Sequence, residues 1–236
     1  MKRIGLLGGM SWESTAEYYR FINEAVRDRL GGLHSADCVL RSVDFAPVEE
    51  MQRSGRWKEA GRLLAAEAEM LVAMGAQLIV LCTNTMHKVA EDIEDAVDVP
   101  FVHIADTTAE SVRAASLSTV GLLATAYTME QDFYVGRLRN KHGLEVITPT
   151  REDRGLVHDV IYQELCIGVV RDESRQVFRR VINDLVSRGA EGVLLGCTEI
   201  DLLIGQQDSP VRVFDTTRLH AERAVDLALS ADTEVV

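Results

Sequence analysis

No apolar run in this chain of 236 residues approaches the roughly 18 consecutive residues of a membrane-spanning helix. The opening residues lack the apolar stretch and cleavage site of a secretory signal, because a strand pattern occupies Lys2 to Leu7. The four cysteines, Cys38, Cys82, Cys166 and Cys197, show no C-x-x-C spacing, so neither a zinc site nor a disulfide framework is suggested. These absences together lead us to expect a cytoplasmic protein with reduced thiols and no metal. Excess positive charge is also missing: 25 Lys and Arg against 37 Asp and Glu give a net charge of −12, which disfavours nucleic acid and anionic membranes as partners. An anionic substrate would need local help from helix N-termini or arginines. Neither G-x-G-x-x-G nor Gly-Lys-Ser/Thr occurs. Gly8-Gly9-Met10-Ser11 therefore reads as a close backbone approach to a small ligand, followed by a helix cap at Ser11 or Ser14, and not as a nucleotide loop.

What is present centres on Gly189 to Ile200. The bulky apolar run Gly192 to Leu195 has the form of a strand buried on both faces, as in parallel α/β sheets. It leads through Gly196 to Cys197 and then to the helix-starting residues Thr198 and Glu199. Open α/β sheets place their ligands at such strand ends, and a helix N-terminus there would favour a thiolate. The stretch has a twin. Gly75-Ala76 aligns with Gly189-Ala190 at an offset of 114 residues, which sets Thr83 opposite Cys197 and Cys82 opposite Gly196. Ile4-Gly5-Leu6-Leu7 likewise matches Val120-Gly121-Leu122-Leu123, and Val99-Pro100 through Thr108 matches Ser209-Pro210 through Thr217. This is a two-copy repeat.

Strands are predicted near 36–43, 77–81, 119–123, 144–147 and 211–214, and helices at 12–29, 105–115, 130–141, 151–166, 172–188 and 216–229. Trp57, Ala60, Leu64, Leu71 and Met74 share one face of a further long helix, and Pro47 begins a short one carrying Met51 and Gln52. Only the last few residues read as disordered. The expected fold is α/β: two pseudo-symmetric Rossmann-like, flavodoxin-like α/β/α lobes with parallel sheets. We assign residues 1–115 plus 216–236 to an N-terminal lobe and 116–215 to a C-terminal lobe, with Thr83 and Cys197 on opposite walls of a cleft between them.

Two proton-handling groups on opposite walls suit removal of a proton from one face of a carbon and its return to the other, which is racemisation or epimerisation. Pyridoxal phosphate chemistry needs a Schiff-base lysine, and none of Lys2, Lys58, Lys88 and Lys141 sits at a predicted strand end. No cofactor is therefore expected. Carbanion stabilisation would come from backbone N–H groups at Asn84–Thr85 and Thr198–Glu199 aimed at the substrate carboxylate, with simple helix capping as the alternative use of these residues.

Ile-Gly-Leu-Leu-Gly-Gly-Met-Ser at 4–11, Thr-Asn-Thr-Met-His at 83–87 and Gly-Cys-Thr-Glu at 196–199 resemble the aspartate/glutamate racemase family, closest to its broad-specificity amino-acid racemase branch. The resemblance implies a cofactor-independent, commonly dimeric isomerase. It implies catalytic groups at Thr83 and Cys197, and substrate contacts at Met10, Gln52, Asn84, Thr85, Thr198 and Glu199. The sequence departs from the family's pattern where Thr83 replaces the first catalytic cysteine. Cys82, shifted by one residue in a strand, should face the core instead. Acidic-specific relatives carry basic groups where this chain has Gln52 and Glu164 to Ile167, so small polar amino acids become plausible substrates beside Asp and Glu. His87 is a candidate to orient the site, and His103 and Asp106 to support it. Three functions stay open: an amino-acid racemase favouring L substrates, a one-thiol decarboxylase or maleate-type isomerase, and a non-catalytic amino-acid-binding protein.

Overall fold

The computed structural model describes residues 1–230, and the expected disordered tail falls outside them. The chain forms β1 (Ile4–Gly8), α1 (Trp12–Leu30), β2 (Cys38–Ser42), α2 (Phe45–Arg53), α3 (Trp57–Ala73), β3 (Leu78–Leu81), α4 (Ala90–Glu94), β4 (Phe101–Val102) and α5 (Ile104–Ala114). It continues with β5 (Thr119–Ala124), α6 (Ala126–Glu130), α7 (Asp132–His142), β6 (Glu145–Ile147), α8 (Arg151–Gln163), α9 (Asp172–Ser187), β7 (Gly192–Gly196), β8 (Arg212–Asp215) and α10 (Thr216–Leu229). The strands make two parallel sheets, ordered β2-β1-β3-β4 and β6-β5-β7-β8. The architecture is α/β, as expected.

The repeat is visible in the register. Ile4 pairs with Leu78 in the first sheet, and its sequence twin Val120 pairs with Gly192 in the second. Thr83 lies five residues beyond Leu78 and Cys197 five beyond Gly192, so the two loop residues hold equivalent positions in their own sheets. The central strands are buried on both faces, which is why each reads as a continuous apolar run without alternation. In the first sheet Ile4, Leu6, Leu78 and Val80 point to one core, with Tyr18, Phe21 and Ile22 of α1, while Leu7, Ile79 and Leu81 point to another, with Leu64 and Leu71 of α3.

The described chain divides into two compact units, residues 1–103 with the segment from His220 on, and Ile104–Leu219. Helix 105–115 was expected in the N-terminal lobe. Its buried side chains Ile104, Ala105, Ala109 and Val112 instead belong to the core of the second unit. Ala221, Ala224, Val225 and Ala228 of α10 pack with Ile4 and Leu6 in the first unit. The last helix of each repeat thus completes the core of the other unit. Other differences are local. Helix α2 begins two residues before Pro47, because the Asp44 carboxylate accepts from Ala46 N at 3.2 Å and caps it. Met74 is the residue after the end of α3 and stays half exposed.

Candidate active site

In a sheet ordered 2-1-3-4, the crevice for a ligand lies at the carboxyl ends of the first and third strands. In the first unit these ends are the loops after β1 and β3. The β1 loop is tied down by hydroxyls: Thr15 Oγ1 accepts from Gly9 N at 2.8 Å and donates to Ser11 O at 2.9 Å, and Ser14 Oγ donates to Cys82 O at 3.1 Å. Gly9 has φ of 92°, and a Cβ there would lie 2.2 Å from Val43 O, so only glycine lets the chain pass. The Met10 side chain packs in the core with Val48 and Met51, which leaves its backbone to line the loop.

Beyond β3, Cys82 N still bonds Leu7 O at 2.9 Å, and the Cys82 side chain joins Leu78 and Val80 in the core on the α1 side. Burial pushes its thiol up. Cys82 therefore faces away from the loop, as the one-residue shift predicted. Thr83, Asn84 and Thr85 are buried next to one another, and a 3₁₀ turn spans Thr85–Val89 where a helix start was expected. His87 Nδ1 donates to Thr83 O at 2.7 Å, since a carbonyl oxygen only accepts. The His87 ring packs edge-on against His103 and His220 at centroid distances of 4.7 and 5.7 Å. His220 Nε2 donates to Val102 O at 2.7 Å, leaving Nδ1 to accept from Tyr18 OH at 2.7 Å. Burial lowers the His220 pKa to about 4. Gln52 is buried, its Nε2 on Met86 Sδ at 2.9 Å.

The second unit builds its crevice from the β5 and β7 loops. Thr125 caps α6 through Thr128 N at 3.4 Å, and Ala126 N donates to His158 Nδ1 at 3.2 Å. At the end of β7 the position equivalent to Cys82 is Gly196, where a Cβ would come within 2.7 Å of Leu122 Cδ1. Cys197 is 7% exposed, and its Sγ donates to Glu199 Oε2 at 3.0 Å. Thr198 Oγ1 donates to the same oxygen at 2.7 Å, and Cys166 Sγ lies 3.7 Å from the other. One buried carboxylate is therefore shared by two thiols and a hydroxyl. Burial, then the Glu199 charge, push the Cys197 thiol well above its ordinary value. This corrects the expectation of a dipole-favoured thiolate. The chain after Glu199 makes only a 3₁₀ turn of three residues, Ile200–Leu202, with almost no dipole to set against burial.

His158, Tyr162 and Cys166 were not singled out together from the sequence, although their i, i+4, i+8 spacing was a signal. His158 and Tyr162 pack at 4.7 Å between ring centroids, and burial raises the Tyr162 pKa. Asp106 does not support the site. It holds Arg137 through two bonds of 2.7 Å, and Lys141 and His142 at 2.7 Å each, fastening α7 to α5. Glu164 is engaged by Ser174 Oγ at 2.6 Å and Arg171 at 3.4 Å. Among the described residues no three His, Cys, Asp or Glu are grouped to hold a metal ion, and no helix is long and apolar enough to cross a membrane.

The structure of a Yersinia pestis protein assigned to the Asp/Glu racemases is 54% identical, with a TM-score of 0.91 over 97% of this chain and 100% of that one. An aspartate racemase homologue of Pyrococcus horikoshii is 35% identical, with a TM-score of 0.83 over 97% and 99% of the two chains. The broad specificity amino-acid racemase RacX of Bacillus subtilis is 21% identical over 231 residues, 96% of this chain and 98% of RacX. The family model for Asp/Glu/hydantoin racemases matches residues 7–224, and the chain belongs to that family.

Proposed function

We propose that this protein racemises amino acids without a cofactor, with Cys197 moving the proton at Cα from one face and Thr83 serving the other. The single observation that carries the reading is the Cys197 Sγ–Glu199 Oε2 contact of 3.0 Å at the end of β7. A thiol held neutral by burial cannot be the base until it sheds its proton, and Glu199 Oε2 is the acceptor in reach. On that basis the thiol proton passes to Glu199, and the thiolate takes the α-proton from the substrate. The electron pair left on Cα delocalises into the substrate carboxylate, which backbone N–H groups at Asn84–Thr85 and Thr198–Glu199 stabilise. Return of a proton to the other face falls to the Thr83 hydroxyl, directly or from water. The equivalent register of Thr83 and Cys197 in their own sheets supports this pairing.

Met10 and Gln52 remain the proposed further substrate contacts, with the Met10 backbone as the contacting group. The lysines favour chemistry without a Schiff base: Lys88 Nζ sits 4.0 Å over the Trp57 ring and Lys141 holds Asp106. Gln52 on Met86, and Glu164 on Ser174 and Arg171, supply no free positive charge for a second substrate carboxylate. We therefore extend the substrate class from Asp and Glu to small polar amino acids. All four thiols are free, in keeping with a reducing, cytoplasmic setting. Proton NMR of L- and D-amino acids incubated with the protein in D2O tests the reading. Loss of the α-proton signal from at least one L-amino acid is expected, and a full panel with no exchange overturns it.

A further inference from the structure

The reaction proposed above leaves the Cys166 thiol idle. Cys166 stands on the 3₁₀ turn Leu165–Ile167 that follows α8, partly buried against the second core. Its Sγ lies 3.7 Å from Glu199 Oε1, while Cys197 Sγ lies 3.0 Å from Glu199 Oε2. A single carboxylate thus bridges two reduced thiols from distant parts of the sequence. The first unit keeps its own thiols apart. Cys38 pairs with Ile4 and Ile4 with Leu78, so Cys82 lies two strands across and four residues further on, about 13 Å along the strand direction alone. The Cys166 turn is also lightly held. Leu165 is fully buried, but Ile167 is 65% exposed, and Gly168 ends the turn with φ of 72°.

We propose that Cys166 is an oxidation site for hydrogen peroxide, and that Cys197 captures its oxidised sulfur as a reversible disulfide. Cys166 is the more exposed of the two thiols, so peroxide meets it first. Glu199 accepts its proton as the sulfur attacks one peroxide oxygen. The O–O bond breaks, and the departing hydroxide leaves as water with that proton, so Cys166 becomes a sulfenic acid. Cys197 then passes its own proton to the vacated Glu199 and attacks the Cys166 sulfur. The S–O bond breaks, the S–S bond forms, and a second water leaves. Two thiols lose two electrons in all, and one peroxide becomes two waters. Closing the bond requires the bridging carboxylate to swing aside and the Cys166 turn to shift toward Cys197. The linked state has no thiol to shuttle the α-proton, so exchange at Cα stops. That consequence rests on the racemase reading, whereas the link itself does not.

Intact mass and peptide mapping after treatment with hydrogen peroxide test the proposal. The wild type is expected to lose two hydrogens, to yield a linked pair of peptides carrying Cys166 and Cys197, and to regain both thiols with dithiothreitol. Exchange of the α-proton, measured in parallel, should fall by about tenfold or more as the link forms and return when it is reduced. Cys166→Ala and Cys166→Ser should form no link, and oxidation of Cys197 then runs on to sulfinic acid, beyond the reach of dithiothreitol. Cys38→Ala should link as the wild type does. A wild type that forms no link, or a loss of two hydrogens that persists in both Cys166 variants, overturns the proposal. A link formed in a protein that exchanges no amino acid supports the proposal and tells against the racemase reading alone.

Discussion

At the carboxyl end of β3 the side chains that gather are imidazoles; at the carboxyl end of β7 they are thiols and a carboxylate. His87 and His220 each donate one ring N–H to a backbone carbonyl, and the packed rings brace the structure around the Thr83 loop. In the second unit Cys197, Cys166 and Thr198 all converge on Glu199, and the proton of the thiol has an acceptor at 3.0 Å. The register of the two central strands is duplicated, yet the side chains hung on it are not. Duplication therefore fixes where a group can stand and leaves free which chemistry stands there. One loop gathers rings bonded to the backbone, and its twin gathers thiols around a carboxylate.

The largest effect that would break this contrast is at Cys197. Cys197→Ser should fold normally and lose about a thousandfold or more in α-proton exchange, near 4 kcal/mol of barrier, because a serine hydroxyl is a far weaker base. More than about a tenth of wild-type exchange, under roughly 1.4 kcal/mol, would remove Cys197 from the role. Acid should act through the other unit. His220 falls from 6.5 to about 4 on folding, so above 6.5 both states are neutral and stability is complete. As pH drops below that, the unfolded chain takes up a proton that the folded one refuses, and roughly 3 kcal/mol is lost by the time pH reaches about 4. Urea midpoints at pH 7 and pH 5 measure this, with His220→Gln as the reference. An equal pH dependence in both proteins would clear His220 as its source.

A smaller effect sharpens the asymmetry of the loops themselves. Threonine does not readily form an alkoxide, so exchange in D2O should be fast from L substrates and slow from D. Thr83→Cys should raise the rate from D by about tenfold. Equal rates from L and D in the unaltered protein would show that Thr83 is no weak partner. The smallest expected change comes at Cys82, whose thiol is core. Cys82→Ala should cost about 1 kcal/mol of stability and leave exchange intact, and a matching loss of exchange would bring Cys82 back into the chemistry.

Much of this was legible beforehand, for identifiable reasons. The runs at Gly192–Leu195 and Leu78–Leu81 are buried on both faces, and burial on both faces writes itself as unbroken hydrophobicity. The one-residue shift at Cys82 was readable because strand side chains alternate strictly. The protonation of Cys197 was not readable. It depends first on burial in the folded unit, then on Glu199 folding back onto the sulfur two residues away, with a 3₁₀ turn standing where a helix start was expected. Nor was the grouping of Cys166 with Glu199, since 33 residues separate them and only tertiary packing joins them. Asp106 looked like site support because it follows a strand. Its partners sit 31 to 36 residues on, in α7, where pattern along the chain carries no information about them.

The traded helices have a consequence for how such a chain could be divided or could have arisen. A polypeptide ending after residue 115 would keep Ile104, Ala105, Ala109 and Val112 with no core of its own to receive them, and it would lack Ala221, Ala224, Val225 and Ala228 to close its sheet. Each half is at once a donor and a recipient, so neither can be expressed alone as a finished body. A half-length forebear would have been whole only as a pair that swapped a helix with each other. Joining two such copies in one chain would make that swap permanent and leave the two loops free to carry different residues, as Thr83 and Cys197 do.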